Sequence, residues 1–413
     1  MSQQLRHPVR PAAVAAAAVA VVLAAGCSGG ARTAERAQPA AAAPGAPAGA
    51  AAHSSHGTQQ SPPPAAPLRA GEWFVHLATP RPYQPAPPNG GTDDYRCFLV
   101  DPRFAKRTFL TGSQFLPQNA AVVHHAIFFR VDPADVAEAH RLDAAAPGDG
   151  WTCFGGTGIE EARGRRGQQD PGAAWVAAWA PGSTERLSPP GTGFLLQPGS
   201  QLIMQVHYNL LATGGKPAGT DRSGIRLRLM DGKTGLHPLQ TTLLPAPVEL
   251  PCATGESGAL CDRQLAVLDV MHRFGYPAGS IVAGLNLLCN GGRTPVAAAT
   301  QHCVRTVRAA GTVYAVAGHM HLLGRSITVE LNPGTPRARR LLDVPVYNFH
   351  DQGARALPRP VRVKPGDSYR VTCTHDATLR RQLPELRPLP PRYVVWGDGS
   401  SDEMCLGIVI WSR

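Results

Sequence analysis

The sequence predicts an all-β protein built from two β-sandwich domains, and three observations lead there. From about residue 71 the chain becomes a series of short apolar runs punctuated by Gly, Pro, Asn and Asp, the texture of short strands joined by turns. Several of these runs alternate as half-buried strands do: Ser200 to Tyr208, Gly224 to Leu229, Tyr369 to Cys373 and Leu406 to Trp411. Turn-forming Pro198-Gly199 and Pro365-Gly366-Asp367 stand just before two of them. The Pro/Gly-rich stretch from Asp231 to Pro251 is the natural domain boundary, giving an N-terminal sandwich over 71–235 and a C-terminal one over 236–413. One helix is expected, with Asp132 as N-cap, Pro133 in the first turn and Ala134 to Ala144 as its body.

The first 70 residues read differently. Arg6 and Arg10 precede an Ala/Val/Leu run over 12–25, which ends in Ala24-Ala25-Gly26-Cys27-Ser28. That is the charged start, apolar centre and small-residue end of an export signal over 1–27, and the apolar run is shorter than the ~20 residues a membrane span needs. Cys27 after Ala-Gly resembles a bacterial lipobox, although Leu23 sits one residue earlier than the usual leucine, at which position stands Ala24. The expectation is a protein exported and lipid-anchored at the cell envelope through Cys27, facing the periplasm or exterior. Residues 28–70, rich in Ala, Pro, Gly, Ser and Gln, lack the apolar content to offset ordering entropy and read as a disordered tether. His53 and His56 lie in it.

Charge excludes one class of function. The formal net charge is +11, yet the only lysines are Lys106, Lys216, Lys233 and Lys364, and the arginines are scattered apart from clusters at Arg163, Arg165, Arg166 and Arg337, Arg339, Arg340. No basic run interleaved with aromatics is present, so nucleic acid is not the expected partner. Setting Cys27 aside, eight cysteines remain, an even number that in an exported chain reads as disulfides. None forms a CxxC or CxC pair, which argues against a thiolate zinc site.

The histidines carry the chemistry. His319-Met320-His321 follows the apolar Tyr314 to Ala317. On a strand, alternate side chains share a face with Cα atoms roughly 6.6 Å apart, so two imidazoles can converge on one metal ion; the alternative is two histidines satisfied by backbone groups. His124-His125 can share a metal only at a bulge or strand end, because neighbouring strand residues face opposite ways. His207 offers a third imidazole from another strand. Three histidines without a carboxylate suit zinc and copper equally. Met404 breaks the tie, since a thioether is a soft ligand that favours Cu(I).

In order, Val123-His124-His125, Gln205-Val206-His207-Tyr208, His319-Met320-His321-Leu322-Leu323-Gly324 and Asp402-Glu403-Met404-Cys405 resemble the copper type II, ascorbate-dependent monooxygenases, a family that includes peptidylglycine α-hydroxylating monooxygenase and dopamine β-monooxygenase. Tyr95-Arg96-Cys97-Phe98, Trp175 to Trp179, and Pro365-Gly366-Asp367 before Val371-Thr372-Cys373-Thr374 extend the resemblance over about residues 71–413. It implies two jelly-roll-like sandwiches, each with a copper site, facing across a solvent-filled cleft. His124, His125 and His207 would hold an electron-transfer copper, with Gln205 and Tyr208 beside them. His319, His321 and Met404 would hold the oxygen-activating copper. O₂ and two electrons from ascorbate would hydroxylate a C–H bond. The resemblance pairs Cys373 with Cys405; Cys252–Cys261, Cys289–Cys303 and Cys97–Cys153 are the remaining pairings.

Departures bear on the substrate. Peptide-amidating members carry an arginine two residues before the first histidine of the HxH, where this chain has Ala317, and their asparagine and tyrosine after the methionine are Leu406 and Ile408 here. The expected substrate is therefore a small neutral or apolar molecule, met by a monomeric enzyme. A copper-binding or copper-delivery lipoprotein on the same scaffold is the alternative, because all six ligands could persist without turnover.

Overall fold

The computed structural model describes residues 64–159 and 174–413, all within one compact unit. The signal segment, Cys27, His53, His56, most of the tether and the Arg163 cluster lie outside the described residues.

The fold is mainly β, as the alternating runs require. A five-stranded antiparallel sheet runs in the order Trp151–Thr152, Asp93–Val100, Gln201–Asn209, Val123–Val131, Ala174–Trp179. It packs on strands Glu72–Ala78, Gly224–Asp231, Thr108–Leu116 and Thr192–Leu196. Phe98, Phe128, Met204 and Val206 from one layer meet Leu110, Phe115, Ile225 and Leu227 from the other in one core. A second core lies between a four-stranded sheet (Thr300–Thr306, Ser368–His375, Gly324–Leu331, Arg339–Val344) and strands His237–Pro245, Leu406–Ser412, Gly311–His319 and Arg355–Val363. One layer of each sandwich joins into a continuous nine-stranded sheet, because His237 and Pro238 pair in parallel with Thr192 and Gly193. The stretch expected as a boundary thus contains a strand, whose residues Leu239 to Pro245 pair with Ser412 to Leu406.

The expected first helix is present as a 3-10 turn Pro133–Asp135 followed by Val136–Asp143. The expectation of a single helix is corrected by two longer ones, Arg263–Phe274 and Tyr276–Asn290. Local chemistry explains them. Asp262 accepts a hydrogen bond from the Leu265 amide as an N-cap. Ala266, Val270 and Phe274 recur every fourth residue and enter the second core. Gly275 separates the helices at φ +86°, and Gly291 closes the second at φ +63°.

The four disulfides are Cys97–Cys153, Cys252–Cys261, Cys289–Cys303 and Cys373–Cys405, the pairs named from the sequence. Residues just before 71 are already tied to the first sandwich. The carbonyls of Ala66 and Pro67 accept from the fully buried Arg228 guanidinium, which also pairs with Glu72 at 2.7 Å and Glu185 at 3.0 Å.

Candidate metal centre

The first group of histidines is made by a β-bulge. The Val123–Val131 strand pairs antiparallel with Gln201–Asn209, and its register shifts between Val123 and His125, leaving His124 as the extra residue. His124 and His125 therefore both face His207, which pairs directly with His125. Their Nδ1 atoms form a triangle with edges of 3.2, 3.2 and 3.4 Å. The centre of such a triangle lies about 1.9 Å from each corner, near the ~2.0 Å of a metal–imidazole bond. Three mutually facing ring nitrogens cannot all be satisfied by one another's protons. A cation supplies what all three lone pairs lack.

Burial and mutual repulsion keep the trio uncharged. Desolvation, then the neighbouring imidazoles, pushes His124 and His125 well below the usual histidine range. His207 is also lowered by burial, although Asp93 opposes this. Neutral imidazole is the ligating form. Asp93 accepts from His207 Nε2 at 2.9 Å, and its Oδ1 also accepts from the Ser400 amide and hydroxyl. Burial would raise the Asp93 carboxyl, but His207 and Ser400 hold it down at about 2. This carboxylate–histidine pair fixes the tautomer that turns Nδ1 toward a metal. Tyr95 stacks on the His207 ring at 4.0 Å and donates its hydroxyl to the Asp398 carbonyl.

The HxH pair straddles a strand end. The strand Gly311–His319 stops at His319, and His321 lies just beyond it. Between them Met320 is clamped by Tyr347, whose hydroxyl donates to the Met320 carbonyl at 2.7 Å and accepts from its amide at 2.9 Å. The two rings meet edge-on with centroids 5.1 Å apart. His319 Nδ1 bonds the Gln352 side-chain oxygen, and His321 Nδ1 faces the Asp402 carbonyl at 3.2 Å. Each ring thus uses Nδ1 for the protein and keeps Nε2; that of His321 is buried without a partner. Desolvation, then His321, takes His319 down to about 3, with Gln352 opposing. Met404 is bracketed between Asp402, which touches His321, and Leu406, which pairs with His319.

Glu403 organises this second group. Its buried carboxylate accepts from the amides of His321, Leu323 and Met404 and lies 3.4 Å from His375 Nε2. Cys373–Cys405 fixes the next residue to the neighbouring sheet. Glu403→Gln leaves at least one of those amides without an acceptor. If the group holds the copper that the resemblance implies, the expected result is a loss of its affinity there of at least about tenfold, read by copper titration, with the first trio unaffected.

The two groups touch. The His125 ring lies 5.9 Å from His319, and Phe349 stacks on His124 at 4.4 Å while meeting His321 edge-on at 6.4 Å. The solvent-filled separation that the resemblance implies is therefore replaced by ring contact. Beside it runs a cavity of about 430 Å³ lined by residues of both sandwiches, among them His125, Gln205, Ala317, His319, Met404, Leu406 and Ile408. Gln205 shares the His207 face and donates to the Cys153 carbonyl at 2.9 Å. Tyr208 does not join the site. Its ring points into the first sandwich core and its hydroxyl donates to Asp221 at 3.1 Å, as the alternation of a strand requires of the residue next to His207.

Asp93, Tyr95, Phe349, Gln352 and Asp398 were not found by sequence reasoning. Tyr95 stood within the resemblance, and the pair Asp93-Asp94 just before it was the one available signal. Asp398 lines the cavity, and burial, then Asp402 and Asp93, pushes its carboxyl up to about 7.

No curated protein matches the chain. Among solved structures, an allantoicase shares 11% identity over 74% of this chain and 78% of that one, with a TM-score of 0.17. A xanthan lyase from Paenibacillus shares 11% over 81% and 25%, with a TM-score of 0.17. PorU from Porphyromonas gingivalis shares 8% over 79% and 25%, with a TM-score of 0.14. The chain spans a quarter of the length of the latter two, and likenesses this low carry no argument. Residues 293–412, which include His319, His321, Met404 and Cys373–Cys405, match the family described as "Copper type II ascorbate-dependent monooxygenase, C-terminal domain".

Proposed function

We propose that the protein hydroxylates a C–H bond of a small, mainly apolar organic substrate, using O₂, with ascorbate or a similar reductant as electron source. The balance is R–H + O₂ + ascorbate giving R–OH + H₂O + dehydroascorbate. The observation that carries the reading is the Nδ1 triangle of His124, His125 and His207 in contact with the His319 and His321 pair. Two coppers are assigned, one to the trio and one to His319, His321 and Met404; bound there, copper supplies one-electron transfer and oxygen activation.

The chain's own residues do the rest. Asp93 and Gln352 orient His207 and His319. The apolar wall of Trp175, Ala317, Leu406 and Ile408 excludes water and holds the C–H-bearing part of the substrate beside His319 and Met404. With Ala317, Leu406 and Ile408 facing the cavity, no carboxylate clamp stands at those positions, and a glycine-extended peptide is not a substrate. Lipid anchoring through Cys27, export to the cell envelope and a monomeric state complete the proposal.

The test is ascorbate-driven oxygen uptake by the copper-loaded protein, compared with His319→Ala. Copper-dependent uptake that falls at least about 100-fold in the variant is expected, since even residues behind a ligand are worth 10–100-fold. Stoichiometric copper with no uptake for any offered substrate would favour a copper-carrying role instead.

A further inference from the structure

We propose that the substrate carries one anionic group, seated on Arg186, at the end of its apolar body. This deepens the monooxygenase reading and rests on it. Among the described residues that line the cavity, Arg186 and Asp398 are the only ionisable ones apart from imidazoles and Tyr95. The remaining walls are largely apolar, with Trp175, Trp179, Leu243, Ala315 and Ile410 prominent among them.

Arg186 is placed for the task. It lies on the two-residue strand Arg186–Leu187, which pairs with Gly112 and Ser113 of the first sandwich. Its guanidinium reaches across to Gly353, packed so closely that a methyl group on that glycine would overlap it. Gly353 follows Gln352, the residue that holds His319. The cation therefore stands one residue from the support of the second histidine group.

The guanidinium has spare capacity. It offers five N–H donors in a planar fork, and its one hydrogen bond among the described residues is from Nη2 to Ser183 Oγ at 3.3 Å. Among the described residues no carboxylate lies within 4 Å of it, whereas fully buried Arg228 is paired with both Glu72 and Glu185. Asp351, which acts on Arg186 only at longer range, is exposed. Burial disfavours the Arg186 charge, so a half-buried cation is held beside an apolar cavity with no carboxylate in contact among the described residues. A carboxylate matches the fork in two parallel hydrogen bonds. Asp398 fixes the orientation. It lines the same cavity, and its carbonyl is tied to Tyr95, which stacks on His207. A carboxyl offers an anion no fork of donors, so an anion is drawn to Arg186 instead.

Trp175 and Trp179 line the cavity and report occupancy by their fluorescence. The copper-free full-length protein is titrated with octanoate, octanamide, octan-1-ol and ascorbate, for wild type, Arg186→Gln and Arg186→Lys. Octanoate is expected to bind at least tenfold more tightly than octanamide. Arg186→Gln should abolish that preference while leaving octan-1-ol unchanged, and Arg186→Lys should keep part of it. Equal affinity for octanoate and octanamide overturns the proposal, as does an octanoate preference that survives Arg186→Gln. Arg186-dependent binding of ascorbate but not of octanoate also overturns it, by assigning the cation to the reductant. The monooxygenase reading stands or falls separately on copper-dependent oxygen uptake. An octanoate preference in a protein without such uptake would retain an anion-binding cavity and remove its identification as a hydroxylation site.

Discussion

On the proposed two-copper reading, replacing His207 with alanine is expected to lower bound copper from two ions per chain to one and to cut ascorbate-driven oxygen uptake by at least about 100-fold. His207 is the corner of the trio with the most support. Its Nδ1 faces both other histidines at 3.2 and 3.4 Å, its Nε2 donates to buried Asp93, and its ring is stacked under Tyr95. Two imidazoles would remain, held by the same bulge, and two neutral nitrogens without the third hold copper far more weakly. Asp93→Asn should produce a graded version of the same defect. The amide still accepts or donates at hydrogen-bond distance but no longer holds the tautomer firmly, and outer partners of this kind are worth 10–100-fold in metal affinity. Metal analysis after dialysis gives the stoichiometry, and competitive chelation gives the affinity. A His207→Ala protein that keeps two coppers would show that the nitrogen triangle is not a metal site.

Arg228→Met is expected to destabilise the protein by about 3–5 kcal/mol, the range for removing one partner from a buried ion pair. The side chain is fully buried with Glu72 and close to Glu185, so the variant leaves Glu185 without its guanidinium and Glu72 with only Arg69 and Thr111 as side-chain partners. It also frees the Ala66 and Pro67 carbonyls. Urea unfolding followed by tryptophan fluorescence should show a lower midpoint with little change in slope. Adding Glu72→Gln and Glu185→Gln should restore part of the loss, because the stranded charges are then removed. A loss below about 1 kcal/mol would place the network among surface-type pairs of little weight.

Arg228 also shows where sequence reasoning stops. In Gly224 to Leu229 the alternation predicts a strand, and the strand is there, but it assigns arginines to solvent. Only the three-dimensional meeting of Glu72, Glu185 and residues 66–67, far apart in the chain, makes burial of that charge tolerable. The convergence of the histidines was legible for the opposite reason. An HxH near a strand and an HH pair have few geometries, and the bulge that the pair demanded is present at His124. The residues that orient the ligands were not legible. Asp93 and Ser400 are 307 positions apart in sequence, and nothing local to either marks the contact. The helix pair over 263–290 was missed although its Asp262 cap and its spacing of Ala266, Val270 and Phe274 were readable, because the surrounding turn-rich texture set the expectation.

The bulge at His124 makes the first centre sensitive to a single insertion or deletion. Val123 pairs with Tyr208 and His125 with His207, so the ladder on either side is already in step and His124 is the residue it does not need. A chain lacking that one codon could close into an unbroken ladder, with the same core on both faces and one imidazole fewer. The imidazole triangle here is thus an interruption tolerated by the sheet. Across descendants of such a gene, the centre could be gained or lost in one step without the fold changing.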